Sequence, residues 1–116
     1  MKTISTDALY RSLQANRSPL LLEALPERYF AQKHLPGARL FPHDQVDRRA
    51  GEVIPEQSTP VVVYCASRSC QNSRIAAQRL IQLGYTDVTV YEDGKQAWEE
   101  GGLPFETDSV AEQRAA

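Results

Sequence analysis

The chain has 116 residues, 13 of them basic and 15 acidic, for a formal net charge of −2 at pH 7. That length suits one domain able to bury a core without staples, and the near-balanced charge leaves no positive surplus for coating nucleic acid or an anionic membrane. No stretch approaches the roughly 20 apolar residues that span a bilayer and the N-terminus MKTISTDALYRSLQANR lacks an apolar signal core, so the expected setting is soluble and cytoplasmic.

Strands and helices alternate along the chain. Lys2 to Ser5 reads as a short strand, and Thr6 as the cap of a helix carrying Leu9 and Leu13 on one face. PLLLE (19–23) is a short apolar run of the buried-strand kind. Pro26 in a first helical position, followed by Glu27, opens a short helix to about Gln32. HLPGARLF turns at Pro36 and Gly37 and continues into a third strand over Ala38 to Phe41. Residues 42–60 are polar, broken by three prolines, and read as a connection with at most one short helix.

Val61 to Tyr64 is nearly all β-branched and predicts a central strand. A helix follows over Ser73 to Leu83, with Ala76, Ala77, Leu80 and Leu83 on one face and Gly84 as its stop. DVTVY (87–91) is a fifth strand, and Gly94 to Gly101 a last helix bearing Trp98. From Thr107, TDSVAEQRAA reads as a frayed tail or a loosely docked helix. Apolar strands interleaved with helices predict an α/β fold, a mostly parallel five-stranded sheet covered by helices on both faces.

In such sheets ligands bind beyond the carboxyl ends of the strands, where loops run into helix N-termini. Cys65 ends VVVYC at that kind of position. Free backbone N–H groups and a partial positive charge favour an anion there, so the strand–Cys–loop–helix order predicts a nucleophilic thiolate formed below the ordinary cysteine pKa. Two cysteines are too few for a disulfide framework and are expected as thiols. Beside Cys65 and Cys70 only His34 and His43 could supply the usual sulfur and nitrogen donors, with no second CxxC and no paired-His spacing, so neither metal nor cofactor is expected.

Four segments in order, LLLE (20–23), HLPGA (34–38), VVVYC (61–65) and LGYTDVTVYEDGKQAWEEGGLP (83–104), together with AAQRL of the intervening helix, resemble the rhodanese family of sulfurtransferases. The resemblance implies a rhodanese-like domain over residues 1–106, followed by a tail over 107–116. It also implies a catalytic Cys65, which attacks a sulfur donor, holds the sulfur as a persulfide and delivers it to a nucleophilic acceptor. The implied function is transfer of sulfane sulfur from thiosulfate or a persulfide donor to a thiol or cyanide-type acceptor. Its partners would be a small sulfur-containing anion or persulfide donor and a protein sulfur acceptor. The loop Ala66, Ser67, Arg68, Ser69, Cys70 and Gln71 would bind the substrate, with its N–H groups and Arg68 on the outgoing anion.

Two departures from the family pattern stand out. Where rhodaneses usually carry an Asp-Val-Arg-like triplet after the second strand, this chain has Glu23, Ala24 and Leu25, without the arginine. The common loop also places an arginine five positions after the cysteine. Here that position is Cys70, and Ser73 comes about two residues late. Arg68 and Arg74 are the replacement charges on offer.

Cys70 is a candidate resolving thiol for an oxidised or persulfidated Cys65, a candidate sulfur acceptor, or an ordinary loop residue. A non-catalytic redox or sulfide-sensing module built on the Cys65/Cys70 pair is therefore one alternative. A cysteine phosphatase is another, although the arginine it needs six positions on is Gln71 counted from Cys65 and Ala76 counted from Cys70. His34 reads as a structural histidine, Trp98 and Tyr64 as core or pocket wall, and Glu23 as a hydrogen-bond partner of a nearby loop.

Overall fold

In a computed structural model, which describes residues 1–16 and 18–107, five strands form one sheet in the order β1-β5-β4-β2-β3. They are β1 (Lys2–Thr3), β2 (Leu20–Glu23), β3 (Arg39–Leu40), β4 (Val61–Tyr64) and β5 (Val88–Tyr91), and every pairing among them is parallel. Parallel neighbours need crossovers. These are supplied by α1 (Thr6–Gln14), α2 (Glu27–Gln32), α3 (Val46–Val53) and α4 (Asn72–Gln82), with α5 (Gly94–Glu100) closing the fold. The tail expected from 107 onward lies, Thr107 apart, outside the described residues.

Side chains alternate across the sheet and divide the core in two. Leu22, Val61, Val63, Val88 and Val90 face α3 and α4, where Val46, Ala50, Ala76, Ala77 and Leu80 cover them. Leu21, Val62, Tyr64 and Tyr91 face the other way, onto Leu9 of α1, Phe30 of α2 and Trp98 of α5. β4 is buried along its whole length because it has a strand on each side and helices on both faces. That is why the run VVVY carries no polar alternation.

Local chemistry sets the element ends. Ser5, not Thr6, caps α1, its hydroxyl accepting from the Ala8 N–H at 3.2 Å. Thr6 is the first helical residue, and its hydroxyl lies 2.7 Å from the Tyr91 hydroxyl instead. Pro26 likewise stands one position earlier than expected, as the cap residue of α2. The polar connection over 42–60 holds one helix, α3. After α4 the Gly84 N–H donates to Ile81 O and the Tyr85 N–H to Leu80 O, with Gly84 at φ +99°. This is a Schellman closure, which needs a residue free to take a left-handed backbone.

Candidate functional site

The register aligns Glu23, Tyr64 and Tyr91 at the carboxyl ends of three adjacent strands, β2, β4 and β5. Cys65 is the next residue along the middle one. Its carbonyl accepts from the Lys95 N–H at 3.0 Å, and that of Ala66 from the Gln96 N–H at 2.9 Å, so the first turn of α5 fastens the start of the loop. Gly94, at φ +68°, allows this approach. A Cβ there would stand 2.6 Å from Cys65 O, 2.8 Å from Ser67 N and 2.9 Å from Ala66 C.

The loop then folds back on itself. The Cys70 N–H donates to Ser67 O at 3.1 Å, and the hydroxyls of Ser67 and Ser69 lie 3.0 Å apart. This turn carries the Cys70 carbonyl to 3.4 Å from Cys65 Sγ, within reach of a thiol S–H donor. On the opposite side Ser73, buried in the first turn of α4, has its Oγ 3.5 Å from the same sulfur. The second half of the loop and the helix start therefore enclose Cys65, which is 1% exposed.

The electrostatics differ from the expectation of an activated thiolate. Burial pushes the Cys65 thiol pKa up and the facing Cys70 side chain adds to the rise, while hydrogen bonds from the Ser73 side chain and backbone pull down without prevailing. The Cys70 carbonyl presents a negative end to the sulfur. The helix N-terminus is present, but desolvation outweighs it.

Of the residues expected around the substrate, Cys65 and Cys70 come together and Arg68 does not. The Arg68 side chain is 74% exposed and its guanidinium bonds Asp93 at 2.7 Å, ahead of α5. Arg74 turns to Glu92, at 3.2 Å. Neither arginine therefore faces the sulfur. Ala66, Ser69 and Gln71 are exposed on the loop surface, and Ser67 and Cys70 are half-buried. Gln71 is the cap residue of α4 without a capping hydrogen bond from its side chain. His34 stacks on Phe30, ring centres 3.8 Å apart, with Nδ1 2.8 Å from Phe30 O. Among the described residues, no three His, Cys, Asp or Glu side chains cluster to hold a metal ion.

One feature beside the site escaped sequence reading. The Glu23 carboxylate, fully buried at the end of β2, accepts from the Tyr64 hydroxyl at 2.8 Å and from the Lys95 ammonium at 2.8 Å. Lys95 also donates to Tyr29 O at 3.1 Å, and the Leu35 N–H donates to the Tyr64 hydroxyl at 3.1 Å. Glu23 is thus not a loop partner; it is half of a buried ion pair directly behind Cys65. Burial pushes its pKa up, against the pull of Lys95 and Tyr64. A lysine in KQAWEE looks like a surface residue. The available signal was its place three residues before Trp98, which puts both on one helix face.

A family model described as the rhodanese-like domain matches residues 5–101. The chain belongs to the rhodanese-like domain family, and its parallel sheet with helices on both faces is the rhodanese fold. Over 90 residues, 74% of this chain, it is 29% identical to a Candida albicans protein named adenylyltransferase and sulfurtransferase UBA4. It is 28% identical to a solved thiosulfate sulfurtransferase from Pseudomonas aeruginosa, at a TM-score of 0.81 over 92% of this chain. The chain spans only 20% of either relative's length. A Rhodanese_3-like domain from Anabaena is 25% identical at a TM-score of 0.69, the match covering 77% of this chain and 99% of that one. A Bacillus halodurans protein at 16% identity and a TM-score of 0.84 shares the fold. No described helix is long and apolar enough to cross a membrane.

Proposed function

We propose that this domain is a sulfurtransferase in which Cys65 carries sulfane sulfur as a persulfide. The observation behind the reading is the position of Cys65 at the carboxyl end of the central parallel strand, with the Ser73 hydroxyl from the first turn of α4 3.5 Å from its sulfur. Family membership and the sulfurtransferase names of two relatives support it. The Cys65 thiolate attacks the outer sulfur of thiosulfate, the S–S bond of the donor breaks, and sulfite leaves with the bonding pair. A persulfide donor would react in the same way and release its thiol.

The chain's own groups have three tasks in this scheme. Ser73 offers donors to the thiolate, the buried setting keeps water from the persulfide, and the Cys70 carbonyl turns away from Sγ as the anion forms. A thiol or cyanide then attacks the outer persulfide sulfur and returns Cys65 as thiolate. A protein acceptor fits the same step. A reducing compartment such as the cytoplasm would keep both cysteines available as thiols for this cycle. The substrate loop in this reading remains Ala66 to Gln71, with backbone amides in place of Arg68 as the anion donors.

The redox or sulfide-sensing alternative draws on the approach of the Cys70 backbone to Cys65 Sγ, its carbonyl at 3.4 Å. A phosphatase reading loses its arginine, because Arg74 is committed to Glu92. The test is steady-state formation of thiocyanate from thiosulfate and cyanide. Loss of activity in Cys65→Ser is the expected result, and a Cys65→Ser protein that still transfers sulfur overturns the assignment.

A further inference from the structure

We infer that Cys70 resolves the Cys65 persulfide within the same chain, giving the domain a second activity: release of sulfide, with a Cys65–Cys70 disulfide as the product. The inference rests on the persulfide reading above and adds to it the fate of the sulfur when no external acceptor arrives. Three observations carry it. The Ser67–Cys70 turn folds the loop back so that the Cys70 backbone lies against Cys65 Sγ, its carbonyl at 3.4 Å. The Cys70 thiol hangs from this same backbone, and its hydrogen bond and charge both help to raise the Cys65 thiol pKa. The arginines of the loop and of the α4 first turn are held elsewhere, Arg68 by Asp93 and Arg74 by Glu92, and Lys95 by Glu23, so each of these cations already has an anionic partner away from the cysteines.

The exposures suit the roles. Cys65 is buried and Cys70 half-buried, so the second thiol is the one an external partner reaches first. Five residues of separation keep the attack local, which replaces a bimolecular encounter with a high effective concentration.

The step balances without an outside oxidant. The Cys70 thiolate attacks Sγ of Cys65, the bond from Sγ to the sulfane sulfur breaks, and hydrosulfide leaves with the electron pair and the persulfide proton. Each cysteine sulfur is oxidised by one electron and the sulfane sulfur is reduced by two, giving sulfide and the disulfide. An external dithiol then reopens the bridge and leaves as its own cyclic disulfide. Over a cycle, thiosulfate and a dithiol become sulfite, sulfide and an oxidised dithiol. The substrate class the inference adds is therefore a dithiol, either a small molecule or a protein with a Cys pair.

The test loads reduced, desalted protein with one equivalent of thiosulfate in the absence of any thiol, then measures sulfide and intact mass in wild type, Cys70→Ser and Cys65→Ser. Wild type is expected to release sulfide stoichiometric with chains and to end two hydrogens lighter. Cys70→Ser is expected to hold one added sulfur and release no sulfide. Trypsin cuts after Arg68, between the cysteines, so the bridge is read directly as the peptides 50–68 and 69–74 joined under non-reducing conditions. Added sulfur retained by wild type and Cys70→Ser alike overturns the resolving step and leaves the persulfide carrier standing. Sulfur found on peptide 69–74 as a Cys70 persulfide overturns it in favour of a relay through the outer sulfur. No added sulfur in Cys70→Ser overturns the carrier itself, and the resolving step falls with it.

Discussion

The Cys70 carbonyl oxygen lies 3.4 Å from Cys65 Sγ, where it accepts from a thiol and repels a thiolate. The resting site is thus built for the protonated nucleophile. With burial raising the Cys65 pKa, alkylation of Cys65 by iodoacetamide in a Cys70→Ser background is expected to be slow at neutral pH and to climb beyond the pH range of an ordinary thiol. Ser73→Ala removes a hydrogen bond that favours the anion. It is expected to slow the neutral-pH reaction several-fold and to move the profile further toward alkaline pH, whereas an unmoved profile would show that the Ser73 hydroxyl does nothing for the charge.

Removing Lys95 strands a carboxylate in the core. Breaking a buried pair by deleting one partner costs about 3–5 kcal/mol, so Lys95→Met is expected to lose that order of stability in urea at pH 7. The sign with pH follows from Glu23. Its folded-state pKa already lies above the ordinary carboxylate value, and losing the pull of Lys95 raises it further. The folded protein then holds a proton the unfolded chain has released, and the loss grows as pH rises from the unfolded pKa through the folded one. Unfolding at pH 5 should therefore show a smaller deficit than at pH 7, and Glu23→Gln added to Lys95→Met should recover part of it.

Gly94→Ala attacks the loop from below. A left-handed backbone and a Cβ pressed to within 2.6 Å of Cys65 O together cost about 3 kcal/mol. Chemical denaturation measures that loss, and thiocyanate formation is expected to fall with it, because the collision displaces Cys65, the proposed sulfur carrier.

Arg68→Ala is expected to do little. An exposed ion pair is worth under about 1 kcal/mol, and the guanidinium points to Asp93 and away from the sulfur. Thiocyanate formation should stay within about twofold of wild type, whereas a large loss would mean that the arginine swings inward when substrate arrives.

Much of this molecule was readable from the chain because its sheet is parallel and buried. VVVY, LLLE and VTVY have neighbours on both sides and helices on at least one face, so apolar content alone marks them as strands. Gly84 announced the end of α4 through the backbone it requires. The ends governed by side-chain reach were harder, as Ser5 and Thr6 show, since both are competent caps and only the path out of β1 decides between them. At the site, sequence brought Cys65 to the strand end but misjudged its charge state, because desolvation depends on how the loop closes over the sulfur. The placement of Arg68 and Arg74 depended on Asp93 and Glu92, which lie about twenty residues further on and reach the loop only through β5. The Glu23–Lys95 pair was hidden for the same reason, each partner being unremarkable until the fold joins them.

Lys95 works as a rivet through two layers. Its backbone N–H holds Cys65 O, while its ammonium holds Glu23 and Tyr29 O. The address of the Cys65 sulfur is thereby written by the ends of β2 and β4 and by the start of α5, and not by the six residues that follow it. A loop fixed from behind in this way can lengthen or change its residues without moving the atom it serves. That freedom suits a chain that places a second sulfur, Cys70, in the loop five positions after Cys65.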